Sequence, residues 1–415
     1  MSAESRIVVL ARQVVGRHTD ESVGQVGAIA AAVIAVVAGP LVFRAPGIPL
    51  TGQVSMATVT SVLCVVLGGV AFATAYVRVA GLSSYWRARP LVWRIRDTAG
   101  LTLASVSVAV MAVVAAYSTF QRAFRGLVVG RISATLLLAV VVGVCCYTLS
   151  VIGHQMSSSR VAVLLGSFLG AGVFASMLTA DDPGWWQSNF SALGISTSSS
   201  ASAFNFTVVI AGIVLTTLAD YVASDLTRWP GVTQRVDRLV RGVLVLIGVA
   251  LVGLGVVPVN LSRVGHDIFA FTALIAFGLL ILTAPVLLKG LPSPFIVTTG
   301  LFGGLMLVIV LLWAPGGRYN LTAVELLSVL IIFAWLALFA RTVSSGPVQI
   351  SSAGPEPVVV DQVVTEDPPP LVQPAARPAH TRASWGAILL ALAAGAALGA
   401  VVTRRAGQPG VSGRR

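Results

Sequence analysis

Residues 162–194 read AVLLGSFLGAGVFASMLTADDPGWWQSNFSALG. The segment 162–180 carries no charge and is long enough, at 1.5 Å per residue, to cross a bilayer core of about 30 Å as a helix. Two carboxylates, Asp181 and Asp182, then meet Pro183-Gly184 and the paired rings Trp185 and Trp186. An apolar run that ends in a polar, aromatic turn has the pattern of a membrane span meeting the interface, where amphipathic rings settle.

The same alternation fills most of the chain. Apolar runs near 24–43, 54–77, 101–120, 132–152, 162–180, 206–222, 243–259, 268–288, 295–313 and 322–339 are separated by short charged clusters. Charged residues are only 10% of the 415, against roughly 25% in soluble domains. The reading is an all-α polytopic membrane protein with about ten transmembrane helices. None of the period-2 alternation of a membrane barrel occurs. A marginal eleventh span lies near 385–402, where Gly395 and Gly399 have the spacing of close helix packing, as do Gly166/Gly170 and Gly300/Gly304.

Five segments follow from these boundaries. Residues 1–23, with Arg6, Arg12 and Arg17 around short apolar pairs, suit a cytoplasmic amphipathic surface helix. Residues 24–154 form a four-helix membrane region and 158–343 a six-helix membrane core. Residues 344–382, with many prolines and the acids Glu356, Asp361, Glu366 and Asp367, read as an extended linker or a docking segment for a protein partner. Residues 383–415 are the apolar segment and a basic tail.

The net charge of +12 arises from 27 basic residues, all arginine except Lys289. They flank apolar runs, as orientation signals do, so nucleic acid is not an expected partner and membrane lipids are. The turn at 78–97, with Arg78, Arg87, Arg89, Arg94 and Arg96 among Tyr85, Trp86 and Trp93, marks the cytoplasmic side. That places the N-terminus inside. The connection holding Arg122, Arg125 and Arg131 then falls outside, against the positive-inside rule. Arginine in place of lysine, with abundant Ala, Val and Gly, is typical of a GC-rich bacterial genome, for which the expected location is the plasma membrane.

With this topology, three outer connections bring polar groups to one face. The first supplies Asp181, Asp182, Trp185, Trp186 and Asn189. The second supplies Asn260, Arg263, His266 and Asp267, and the third Arg318, Tyr319, Asn320 and Glu325. Together they suit a lipid-phosphate site, and Asp182 with His266 is the candidate acid–base pair. Each also has a plainer reading. The tryptophans can be belt residues, Arg263 and Arg318 interface anchors, and His266-Asp267 and Glu325 helix-start residues favoured by the dipole. Asp220 is the ionisable residue nearest a span interior, close to the inner end. The tripeptides beginning at Asn189, Asn205, Asn260 and Asn320 match glycosylation acceptors, a match expected by chance in a bacterium. Cys64, Cys145 and Cys146 have no metal or disulfide spacing, and there is no Walker, G-x-S-x-G or H-E-x-x-H motif. Neither a metal nor a cofactor is expected.

The segment Asp181-Asp182-Pro183-Gly184-Trp185-Trp186, running into Asn189-Phe190-Ser191-Ala192-Leu193-Gly194, resembles the first outer loop of a bacterial membrane family called domain of unknown function 998. That family is similar to the eukaryotic DRAM and FGF-receptor-activating six-helix proteins. The resemblance covers about 158–343. It implies an N-inside six-helix bundle with a functional outer loop and a role in membrane-lipid handling. Asp181, Asp182, Trp185, Trp186, Asn189 and Ser191 carry over only as the loop motif. Lipid binding, sensing or homeostasis is the leading expectation, with a lipid-modifying enzyme, a small-solute transporter and a membrane scaffold as alternatives.

Overall fold

The computed structural model describes residues 3–195, 198–229, 231–313 and 320–346, with the backbone alone for 3–20. Arg318, Tyr319, nearly all of the proline-rich linker and the C-terminal apolar segment with Gly395 and Gly399 lie outside the described residues. Among the described residues, ten helices are long and apolar enough to cross a membrane.

In chain order the elements are α1 (Ala3–Val42), β1 (Gly47–Pro49), α2 (Met56–Leu63), a π-helical turn (Cys64–Gly68), α3 (Gly69–Ala80), the short α4 (Ser84–Ala88), α5 (Leu91–Ala123) and β2 (Val128–Gly130). Then come α6 (Arg131–His154), α7 (Ser158–Leu178), α8 (Ser199–Leu226), α9 (Gln234–Val256), α10 (Arg263–Leu287), α11 (Ser293–Trp313) and α12 (Leu321–Ser345). Side-chain oxygens cap many of these helices. Ser55, Ser157, Ser198, Thr233, Ser262 and Asn320 each accept from a backbone N–H of the first turn.

Two differences from the hydropathy reading have physical causes. The N-terminal segment and the first apolar run form one helix, α1, rather than a surface helix and a separate span; no proline precedes Pro40 to interrupt it. The helices also extend past the apolar runs. α5 starts ten residues earlier than the apolar run near 101–120, taking in Arg94, Arg96 and Asp97. A hydropathy window stops at charges, whereas a helix continues wherever those charges find partners.

Successive spans alternate in direction, so the chain has two faces. The turns at 81–90, 155–157, 227–233 and 288–292 lie on one, here called the basic face. Those at 43–55, 124–130, 179–198 and 257–262 lie on the other, the loop face. On the loop face β1 and β2 pair antiparallel, Ile48 opposite Val129, and tie the turn after α1 to the turn before α6. Arg131 donates to the Pro40 carbonyl there (2.6 Å).

The packing differs between the two faces. Phe72, Tyr76, Leu101, Leu149, Leu165, Leu215, Leu244, Trp335 and Phe339 share one continuous core that reaches from α3 to α12. Most of its members from α3, α5 and α6 come from the basic-face ends of those helices. A second cluster, including Phe43, Met56, Cys64, Tyr117 and Leu138, belongs to the first four spans alone. A third, Val173, Phe190, Leu193, Phe204 and Val208, lies under the 181–195 connection. Large apolar side chains such as Leu282, Val286, Val297 and Leu301 stay exposed, as expected where the solvent is lipid.

Close backbone approach adds to side-chain packing where α8 meets α9. A Cβ on Gly212 would lie 2.4 Å from the Gly248 carbonyl oxygen, and one on Gly255 would lie 2.7 Å from the Asn205 oxygen. Gly166, Gly170, Gly300 and Gly304, which have the expected packing spacing, face open space instead. Spacing alone does not say whether a neighbour stands opposite.

Candidate functional site

Two polar clusters stand out, one at each face. The loop-face cluster is built on residues 181–195. Asp182 Oδ1 accepts from the Gly184 N–H (2.7 Å), closing a side-chain turn. Two 3-10 turns follow, Trp185–Gln187 and Phe190–Gly194. Phe190 is buried edge-on against Phe204 (5.5 Å between centroids), and Trp185 stands edge-on to Phe190 (6.4 Å). The apolar side of the connection is thus inserted into the bundle end.

Side chains from four other places pin its polar side. Asn205 donates to the Gly194 carbonyl (3.0 Å), Asn260 to the Ile195 carbonyl (2.9 Å) and Asn320 to the Trp186 carbonyl (2.8 Å). The Phe190 N–H donates to the Glu325 carboxylate. His266, 7% exposed, places Nδ1 2.9 Å from the Val257 carbonyl oxygen and Nε2 3.1 Å from Ser191 Oγ. A carbonyl oxygen only accepts, so Nδ1 carries the proton in the neutral ring and Nε2 presents its lone pair to the Ser191 hydroxyl.

Residues of the second connection and of the start of α12 therefore meet the 181–195 loop, but not in the expected pairs. Asp182 is exposed at the start of the loop and is engaged in its own turn, so the Asp182–His266 acid–base pair is not formed. Ser191, known from the sequence only as part of the loop motif and of a glycosylation tripeptide, is the partner of His266. Asp267, exposed beside His266, stands 4.0 Å from Arg263, itself 83% exposed. Neither forms a hydrogen bond or ion pair with residues 181–195 among the described residues. Asp181, Asp182 and Trp186 (50% exposed) form its outward surface. The Asn189 Oδ1 atom is buried without a donor.

The basic-face cluster was not recognised from sequence. Asp97, 1% exposed, accepts from Arg89 Nη1 (2.7 Å), Arg96 Nε (2.9 Å) and Thr217 Oγ1 (3.0 Å). Asp220, 4% exposed, accepts from Arg89 Nη2 (2.6 Å) and Arg96 Nη2 (3.0 Å). Arg241 Nη2 stands 2.7 Å from Asp220 Oδ1, a charge contact whose angle is not that of a hydrogen bond. Three guanidinium groups thus enclose two carboxylates. Burial by itself would lower the Arg89 pKa, but the Asp97 and Asp220 charges outweigh it and raise the pKa above the usual arginine range. Arg94 stacks over Trp86 (4.2 Å) and Arg96 over Trp93 (4.6 Å).

The residues of this network were legible as flanking charges, and Asp220 as the innermost acid. Their pairing was not, because Arg89 and Asp220 are 131 positions apart. The network joins α5 of the first four spans to α8 and α9 of the later six. Its chemistry is that of a fastening, since its carboxylate oxygens are taken up by the protein's own cations.

No family model, no curated protein and no solved structure matches this chain. Among the described residues no three His, Cys, Asp or Glu side chains come together as a metal site requires. The loop-face cluster, with its exposed outer acids and ring, is the better candidate for ligand binding.

Proposed function

We propose that the protein is a plasma-membrane protein, N-terminus inside, that binds or senses membrane lipid at the outer leaflet through residues 181–194. The observation that carries this reading is the combination of a pinned backbone with outward-facing Asp181, Asp182 and Trp186. A loop already ordered by Asn260, His266, Asn320 and Glu325 loses little further freedom when a ligand arrives. Two carboxylates beside a half-exposed indole suit an ammonium group, which a carboxylate attracts and a ring face accepts. The ligand class is therefore a lipid with an amine headgroup, in preference to the lipid phosphate expected from the arginines. Arg263 stands beside Asp267.

An apolar groove between α9 and α10 supports the same reading. Leu246, Val264, Ile268, Phe271 and Leu279 line it, with Asp267 at its loop-face end. From Val264 to Leu279 it follows α10 for about 22 Å at 1.5 Å per residue, a length suited to an acyl chain.

The test compares purified full-length protein in nanodiscs of phosphatidylglycerol with and without phosphatidylethanolamine, followed by retained-lipid mass spectrometry. Selective retention of the amine lipid, lost in Asp181→Asn/Asp182→Asn, is the expected result. Equal retention of both lipids by wild type would refute it. In cells, deleting the protein should shift the profile of an amine lipid, and wild type but not the double variant should restore it.

A further inference from the structure

The hydrogen bond by which His266 pins the loop at Ser191 is also an arrangement with chemical use. The hydroxyl donates into the Nε2 lone pair, and the opposite ring nitrogen is held by the Val257 carbonyl (3.1 and 2.9 Å). A nucleophile hydrogen-bonded to a base, with the base fixed by a third group, is the constellation of nucleophilic acyl transfer. The base is buried, whereas Ser191 is only half-buried, at the start of the 3-10 turn Phe190–Gly194. Next to it, the Asn189 Oδ1 atom is buried without a donor.

We infer that Ser191 is a catalytic nucleophile and His266 its general base, acting on the acyl ester of a lipid at the loop face. The choice of a lipid rests on the binding reading above; the dyad itself does not. The Ser191 hydroxyl oxygen attacks the ester carbonyl carbon while its proton passes to His266 Nε2. The ester C–O bond then breaks, and the alcohol leaves with that proton, giving an acyl-serine. Water attacks the acyl-serine, His266 again takes and returns a proton, and the products are a carboxylic acid and free Ser191. The overall change is ester plus water to acid plus alcohol, with no redox partner. Because a carbonyl, not a carboxylate, orients His266, its tautomer is fixed but its charged form gains less stabilisation. Turnover is therefore slow, and covalent trapping is the more sensitive readout.

The experiment treats the full chain in phospholipid nanodiscs with a fluorophosphonate probe and maps the adduct by tandem mass spectrometry. The expected result is labelling at Ser191, abolished in Ser191→Ala and slowed at least tenfold in His266→Asn. Asparagine keeps a donor toward the Val257 carbonyl but supplies no base, so the variant tests chemistry with the loop still held. Unchanged thermal unfolding of His266→Asn shows that the slowing is not misfolding; if it unfolds early, His266→Gln takes its place with the same expectation. Folded wild type without an adduct at Ser191, or equal labelling rates in wild type and the folded variant, overturns the proposal. An adduct at Ser191 in protein that retains no amine lipid refutes the binding reading and leaves the dyad standing. Retention of amine lipid without an adduct does the reverse.

Discussion

Arg89 reaches across 131 residues of sequence to place Nη2 2.6 Å from Asp220 Oδ2 while its other terminal nitrogen holds Asp97. One guanidinium thus joins α5 to α8, in a setting where each carboxylate has almost no contact with solvent. Removing one member of such a network leaves uncompensated buried charge.

We expect Asp220→Ala to destabilise the protein by about 3–5 kcal/mol, the usual cost of breaking a buried pair from one side. Arg241→Gln should cost about 1 kcal/mol or less, because Arg241 is 43% exposed and solvent already screens it. Thermal unfolding in detergent, followed by intrinsic fluorescence, compares the two. Equal losses would show that Asp220 is held by packing rather than by Arg89 and Arg96.

At the α8–α9 contact, Gly212→Val should prevent normal packing, since even a Cβ there would sit 2.4 Å from the Gly248 oxygen. A loss of about 3 kcal/mol or more is expected from overpacking against backbone. Gly300→Ala, where nothing stands within 4 Å, should be neutral or slightly stabilising through helix propensity. Yield of monodisperse protein after size-exclusion chromatography reads both.

Asn320→Ala and Asn260→Ala each remove one hydrogen bond to the loop backbone. Each should weaken the loop by about 1 kcal/mol, seen as roughly fivefold faster amide exchange confined to residues 181–195. Exchange in α8 and α9 should not change. If it does, the loop and the bundle unfold together.

Trp186→Ala should lower retention of amine lipid several-fold without changing thermal stability, because the ring is 50% exposed. Trp185 packs inward on Phe190, and its replacement by alanine should instead loosen the loop. Raising salt should weaken lipid retention, as exposed carboxylates are screened beyond about 8 Å at physiological ionic strength.

Much of the candidate site was legible because loops must emerge where spans end. Once the apolar runs were placed, the connections after the fifth and seventh spans and the start of the tenth had to share a face, and His266, Asn260, Asn320 and Glu325 do meet residues 181–195. Which side chain met which was not legible. Asp182 and His266 looked like a pair by chemical type, yet local turn formation engages Asp182, and the buried ring faces Ser191. Similarly, Gly166/Gly170 had the packing spacing, while Gly212 and Gly248 had the neighbour.

The sequence by itself determined the helical class, the ten spans and the polar caps between them, because a bilayer imposes a local requirement. About 20 apolar residues in succession satisfy it wherever they occur. Only the tertiary structure decided the pairing of Arg89 with Asp97 and Asp220, the Gly212–Gly248 contact and the hydrogen bond from Ser191 to His266. Each depends on which helices are neighbours and how they are rotated, and that is settled by packing between segments far apart in the chain.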